Sequence, residues 1–462
     1  MDKNIVNELV AILGKDNVLT GKEDRINYSY DATADMQRSE PDVIVTPSTK
    51  EEIVSLVRLA SKYKIPVVTR GSGTNLSGGT IPVDGGIVLS MLKLDRIIEV
   101  DAANLTATVE PGLVIQRLNE AAAVHGLIYP PDPGTVTTAT MGGSVSECSG
   151  GLRGLKYGVT KDYVMGLEIV MPDGEVIQTG GKTVKNVSGY DLTKLFTGAE
   201  GTLGIITKII VKLIPAPKYR RSMLAIFDNL DNAGKTIADI ISNKVIPATL
   251  EIMDNVTIRT VENYSKIGLP VDAEAVLVIE VDGSIEDVVI KEFETVKTIC
   301  SGNQAASMKL AESDADRDAI FAARRAALPA LAQVKPTTVL EDATVPRSRI
   351  PEMLKALREI AVKYNLQIGT FGHAGDGNLH PTILTDESDK EEMDRVHKAV
   401  DEIFQVAINL GGTLSGEHGI GMAKSKYMEM QFGPAGISVM KKIKDALDPD
   451  NIMNPGKMFW RG

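Results

Sequence analysis

Arg70-Gly71-Ser72-Gly73-Thr74-Asn75-Leu76-Ser77-Gly78-Gly79 decides the fold. Four of these ten residues are glycines, and they follow directly on the short strand pattern Pro66-Val67-Val68-Thr69. Such a loop brings backbone N–H groups close to a ligand, and a pyrophosphate can be held that way without a basic side chain. It is not the dinucleotide fingerprint, because the third glycine position of GxGxxG falls on Leu76. No Gly-Lys-Ser/Thr ending completes a phosphate-binding loop of the ATPase kind. NAD in a Rossmann cleft and ATP are therefore both disfavoured.

Outward from this loop the chain reads as α+β. A strand at Val43–Thr46 is stopped by Pro47, and Ser48 or Thr49 can cap a helix over 51–63. Strand patterns follow at 86–90, 97–101 and 106–110, then a helix near 114–125. Two more glycine clusters come next, Met141-Gly142-Gly143-Ser144 and Gly198-Ala199-Glu200-Gly201-Thr202-Leu203-Gly204-Ile205-Ile206. Between them, Pro172-Asp173-Gly174 turns a hairpin. Three glycine clusters in one mixed region suit a large phosphate-bearing cofactor. Pro215 and Pro217 mark a change of composition, and 223–300 alternates strand and helix patterns in the rhythm of a ferredoxin-like domain. Residues 314–334 read as one helix and 352–364 as another.

Histidine is scarce, yet three of the five lie in two glycine-rich segments: Gly372-His373-Ala374-Gly375-Asp376-Gly377-Asn378-Leu379-His380 and Ser415-Gly416-Glu417-His418-Gly419-Ile420-Gly421. Imidazoles with a carboxylate are ligands for first-row metals, and a further histidine beside them can act as a base. His373 and His380 do not share a helix face at a spacing of seven, so they must converge through the glycine turn.

The formal charge of −11 argues against nucleic acid as a partner. Cys148 and Cys300 are the only cysteines. The chain thus supplies no Cys-based iron–sulfur or zinc site of its own, which fits a reducing cytoplasm. No apolar stretch is long enough for a transmembrane helix, and the N-terminus gives no expectation of a signal peptide.

Taken in order, the loops at 70–79, 142–144, 198–204, 372–380 and 416–421, together with Asn454-Pro455-Gly456-Lys457, resemble the FAD-linked 2-hydroxy-acid oxidases and dehydrogenases of the vanillyl-alcohol-oxidase superfamily. D-lactate dehydrogenase, D-2-hydroxyglutarate dehydrogenase and the D-type chain of glycolate oxidase belong there. The resemblance covers roughly 30–460 and implies a two-lobed α+β fold. A PCMH-type FAD-binding domain of two α+β subdomains would span 1–215. A ferredoxin-like cap would span 216–415, and 416–462 would return to the FAD domain. Arg70, Gly71, Ser72, Gly73, Thr74, Asn75 and Gly78 would hold the pyrophosphate. Gly142, Gly143, Ser144, Glu200, Gly201, Gly204, Ile205 and Ile206 would line the rest of the FAD, with Asn454 near the ring. Thr74 and Asn75 stand where some relatives attach FAD through histidine, so noncovalent FAD is expected.

The resemblance also assigns a divalent metal (zinc, manganese or ferrous iron) to His373, His380 and Glu417. His418 would be the catalytic base, with a packing role as its alternative. Arg324 would clamp the substrate carboxylate, with neighbouring Arg325 as its rival. Leu328 and Leu340 occupy positions that are polar in some 2-hydroxyglutarate enzymes, which favours a small substrate: D-lactate first, glycolate second. The flavin would pass electrons to a partner, an electron-transferring flavoprotein or an iron–sulfur protein, as in electron-bifurcating complexes. Three other readings compete. A metal-dependent hydrolase would leave the glycine loops unused. A noncatalytic redox subunit would not need the histidines. An ether-lipid synthase would need a histidine-rich tract that is missing here.

Overall fold

The computed structural model describes residues 1–459. The chain forms two units. The first comprises Met1–Ser149, Val159–Ala216 and the chain from Glu417 onward; the second comprises Gly150–Gly158 and Pro217–Gly416. The short segment 150–158 thus leaves the first unit to join the second.

In the first unit, β1 (Val43–Val45) and β2 (Val67–Arg70) both run parallel to β3 (Ile87–Ser90), while Val18–Leu19 adds an antiparallel edge. A parallel pair needs a crossover, here α1 (Lys50–Tyr63). Thr49 and Glu52 close a capping box at its start, and Ile53, Leu56, Val57, Leu59 and Ala60 are its buried residues. β1 is buried throughout, as a sheet covered on both faces requires. A second, antiparallel sheet is ordered β4 (Ile97–Asp101), β5 (Thr106–Val109), β8 (Ile205–Lys212), β6 (Val164–Val170) and β7 (Val176–Gly180). Val109, Leu167, Ile169, Ile209 and Val211 share a core with Leu118 and Ala122 of α2 (Ile115–Ala123).

The cluster at 141–147 forms a helix, α3 (Met141–Glu147), rather than an open loop. Thr140 caps it by accepting from Gly143 N–H, and Gly142 lets it press onto Pro111. A Cβ at Gly142 would lie 2.6 Å from Pro111 Cβ.

The second unit is built on one large sheet. β9 (Tyr219–Phe227), α4 (Leu230–Ser242), β10 (Thr249–Asp254), α5 (Asn255–Ser265), β11 (Ala275–Gly283), α6 (Glu286–Gly302) and β12 (Ser307–Leu310) come first. Their strands lie in the order β12-β9-β11-β10, all antiparallel, which is the ferredoxin-like arrangement. After α7 (Asp314–Arg325) the sheet continues through β13 (Thr337–Leu340), α8 (Ile350–Tyr364), β14 (Gln367–His373), β15 (Asn378–Thr385) and α9 (Lys390–Asn409), with β14 and then β15 stacked onto β10. The helix expected over 314–334 breaks after Arg325. Pro329, inside the short helix Ala327–Leu331, has no N–H for Arg325 C=O, and its ring clashes there. The returning chain forms α10 (Met428–Leu447), kinked at Gly433-Pro434, and Met453 beyond it bridges to Val67 of β2.

Candidate active site

The first glycine loop wraps around its own arginine. Arg70 Nη1 donates to Tyr30 C=O at 2.6 Å and to Thr80 Oγ1 at 3.2 Å, and a Cβ at Gly73 (φ +73°) would lie 2.1 Å from Arg70 Nη2. Asn75 Nδ2 donates to Asp31 (2.7 Å), and Gly78 N–H donates to Thr33 Oγ1 (2.7 Å). Among the described residues, no backbone N–H from Gly71 to Ser77 finds a partner, and the buried Ser77 hydroxyl has none either. Donors in a row with nothing to bind suit an anionic group such as a pyrophosphate.

The other loop side chains are also turned to structural use. Ser144 Oγ bonds the hydroxyls of Ser149 and Thr160. Glu200, with φ +51°, accepts from Ile420 N–H and Gly421 N–H, each at 2.7 Å, and so ties down the segment that follows Glu417 and His418. Gly201 has φ +69°, and a Cβ at Gly204 would lie 2.7 Å from Ile169 Cγ2. Ile205 and Ile206 are buried at the start of β8. Asn454 Nδ2 donates to Gly79 C=O and Glu200 C=O, lacing the first and third loops together. Glu147 lies against Gly419, whose added Cβ would be 2.1 Å from its Oε2. Burial, and then the nearby Glu200, pushes the Glu147 carboxyl well above the ordinary range; burial also raises Glu200.

The second unit builds its site from side chains. Sheet register explains the spacing of seven: Phe371 pairs with His380 and His373 with Asn378, so all four share one face of the hairpin. The His373 and His380 rings meet edge to face, with centroids 5.1 Å apart. The turn between the strands requires glycine at Gly377 (φ +83°), since a Cβ there would lie 2.0 Å from Val345 C=O. β10 pairs beside β14, Ile252 with Gly372 and Met253 with Phe371, which brings Glu251 alongside His373.

Glu251 is 1% exposed and binds two partners. Its Oε2 accepts from Arg324 Nε at 2.7 Å, and its Oε1 lies 2.8 Å from His373 Nδ1. Burial alone would raise this carboxyl; His373 and Arg324 outweigh it, and the net shift is downward. Arg324 stacks over Phe371, with Cζ 4.7 Å from the ring centroid. It is buried, whereas Arg325 faces outward, a distinction invisible in two adjacent arginines. Leu328 and Leu340 pack on the apolar cluster that contains Phe371.

Asp342, fully buried, accepts from Asn378 Nδ2 (2.6 Å), Ser415 Oγ (2.6 Å) and Gly416 N–H (2.8 Å), and lies 3.7 Å from His380 Nδ1. Glu417 is peptide-bonded to Gly416. His373 and His380 supply two imidazoles on one face of the hairpin and Asp342 a carboxylate behind His380, while Glu417 and His418 follow Gly416 directly in the chain. Two nitrogens and one carboxylate oxygen fit a catalytic divalent site with open positions. Asp342 already accepts three hydrogen bonds, so its oxygens are committed to holding Asn378, Ser415 and Gly416 in place. His125 and His397 are exposed and take no part.

Glu251 and Asp342 escaped the sequence reading. The available signal was an acid in the middle of the apolar strand Thr249-Leu250-Glu251-Ile252-Met253.

Residues 216–458 match the C-terminal domain of FAD linked oxidases, and 41–180 match an FAD binding domain. The chain belongs to the FAD-linked oxidase family. Within this family it is 51% identical to glycolate oxidase subunit GlcD of Bacillus subtilis, over 99% of this chain and 97% of that one. It is 38% identical to the Escherichia coli K12 protein of the same name (95% and 88% covered) and 34% identical to D-lactate dehydrogenase of Anaerostipes hadrus (96% and 95% covered). The fold is shared with p-cresol methylhydroxylase (TM-score 0.80, 18% identity, 99% and 96% covered) and alkyldihydroxyacetonephosphate synthase (TM-score 0.77, 21% identity, 98% and 86% covered). This FAD-linked oxidase is an oxidoreductase of the flavoprotein class. Among its described residues no helix is long and apolar enough to cross a membrane.

Proposed function

We propose that the protein is an FAD- and metal-dependent dehydrogenase of short 2-hydroxy monocarboxylic acids, D-lactate and glycolate foremost, which passes electrons to a partner protein in the cytoplasm. The observation that carries this reading is the one-faced cluster of Glu251, Arg324, His373 and His380 in an FAD-linked oxidase. Noncovalent FAD, when bound, would accept a hydride, and a divalent metal would lower the pKa of the substrate hydroxyl. The N–H row of Gly71–Ser77 would hold the FAD pyrophosphate. His373, His380 and Glu417 would hold zinc, manganese or ferrous iron. Arg324 has Nη groups that carry no hydrogen bond among the described residues, and they would grip the substrate carboxylate as a fork. His418 would take the hydroxyl proton on a ring nitrogen.

The apolar Leu328 and Leu340 oppose a second substrate carboxylate. Glycolate and D-lactate differ by one methyl group, which a pocket separates by only about 1–3 kcal/mol, so both are expected as substrates. The names of the relatives, glycolate oxidase subunit and D-lactate dehydrogenase, support the pair. The word subunit supports an electron-accepting partner, an electron-transferring flavoprotein or an iron–sulfur protein. Steady-state assays with an artificial electron acceptor test the reading. D-lactate and glycolate should turn over, chelation should stop both, and metal should restore them. Preference for D-2-hydroxyglutarate, or turnover indifferent to chelation, would contradict it.

A further inference from the structure

We propose that Glu251 is a positioning residue that sets two functional groups at once: it holds His373 in the tautomer that leaves Nε2 open to a metal, and it anchors Arg324 through Nε so that the Nη pair is kept for a carboxylate. The inference rests on the metal and clamp roles proposed above and adds the residue that links them.

Glu251 stands in the interior of β10 between the buried Leu250 and Ile252. An acid there is costly unless both oxygens are satisfied. Each has one partner, Oε2 with Arg324 Nε and Oε1 with His373 Nδ1. A carboxylate only accepts, so His373 carries a proton on Nδ1, and a ring holding that proton alone presents its lone pair at Nε2. Metal-bound histidines are commonly oriented by a carboxylate in this way, and loss of that partner costs roughly 10–100-fold in metal affinity. Unusually, the same carboxylate also serves the arginine. The two groups need opposite ends of any replacement amide. In Glu251→Gln the single oxygen goes to Arg324 Nε–H, and the NH2 then faces His373 Nδ1. The ring must accept there, so its proton moves to Nε2 and blocks the metal.

The test uses the full-length, FAD-loaded chain. Zn2+ affinity is measured by competition with a chelator, and histidine tautomers are read by 15N NMR, where five histidines give a simple spectrum. Wild type should show His373 protonated on Nδ1. E251Q should retain FAD, move that proton to Nε2 and lose roughly 10–100-fold in Zn2+ affinity. E251Q/R324M should regain most of the loss, because without the arginine the amide can flip and accept from Nδ1–H. E251L/R324M, which has no acceptor, should not regain it. The two double variants carry no unpaired buried charge, so their comparison stands even where E251Q fails to fold. Equal Zn2+ affinity in the two double variants, or a folded E251Q with wild-type tautomer and affinity, would overturn the proposal. A wild type that binds no Zn2+ yet switches tautomer in E251Q would sink the metal role and leave the positioning role supported.

Discussion

In the first unit, the loops at 71–79, 142–144 and 198–204 offer backbone, and the polar side chains around them hold the loops in shape. Arg70 sits inside its loop, Ser144 binds Ser149 and Thr160, and Asn454 joins Gly79 to Glu200. In the second unit the backbone is a plain antiparallel hairpin, and the chemistry sits on side chains: His373, His380 and Arg324, with Glu251 and Asp342 behind them. A polar residue beside a glycine loop is thus as apt to be a strut as a ligand contact, whereas a buried charge on a strand face calls for a functional account. Substitutions should separate the two regions accordingly, with losses of turnover at the second and losses of stability and flavin at the first.

The largest separation is expected from His373→Ala or His380→Ala. Turnover should fall about 10³-fold, the worth of several kcal/mol of metal polarisation, with flavin content unchanged. The reverse pattern is expected from Lys444→Met in α10. Lys444 Nζ donates to Thr202 C=O and Met453 C=O and pairs with the buried Asp448. Its loss leaves that carboxylate unpaired, at a cost of about 3–5 kcal/mol, read as a lower Tm and released FAD. Arg324→Lys keeps the charge and loses the fork, so KM should rise about 10–100-fold while the flavin spectrum holds.

A smaller effect concerns pH. Burial raises the Asp254 carboxyl to about 6, against which the N–H groups of Thr257 and Thr370 act weakly. Because its folded value lies above the unfolded one, this group's contribution is full below about pH 4 and is lost as pH rises through 6. Between those limits wild type should lose about 2 kcal/mol relative to Asp254→Asn, measured by denaturant unfolding. The smallest effect is expected from Arg325→Ala. It faces outward and should shift KM less than about twofold, within the range of surface substitutions.

The glycine loops and histidine segments were legible because they are local in sequence. A helix cap at Ser48 or Thr49 and the strand-helix rhythm of 223–300 were legible for the same reason, though only the structure selects Thr49 and closes its box with Glu52. α3 was not, because Gly142-Gly143-Ser144 lowers helix propensity and only its contact with Pro111 explains the glycines. β15 was hidden by Pro381 and by polar residues on a strand that is buried throughout. Glu251 acquires meaning only through the register of β10 beside β14, which joins residues 122 positions apart. Arg324 and Arg325 are equivalent in sequence and differ only in which way α7 turns them.

The central claim, hydride transfer from a short 2-hydroxy acid to bound FAD, is tested most directly by the visible spectrum of the purified protein under anaerobic conditions. Adding D-lactate or glycolate to the metal-loaded protein should bleach the oxidised flavin band, L-lactate should not, and chelation should prevent the bleaching. A flavin that stays oxidised with both acids and metal present, or a protein that takes up no FAD, would contradict the account.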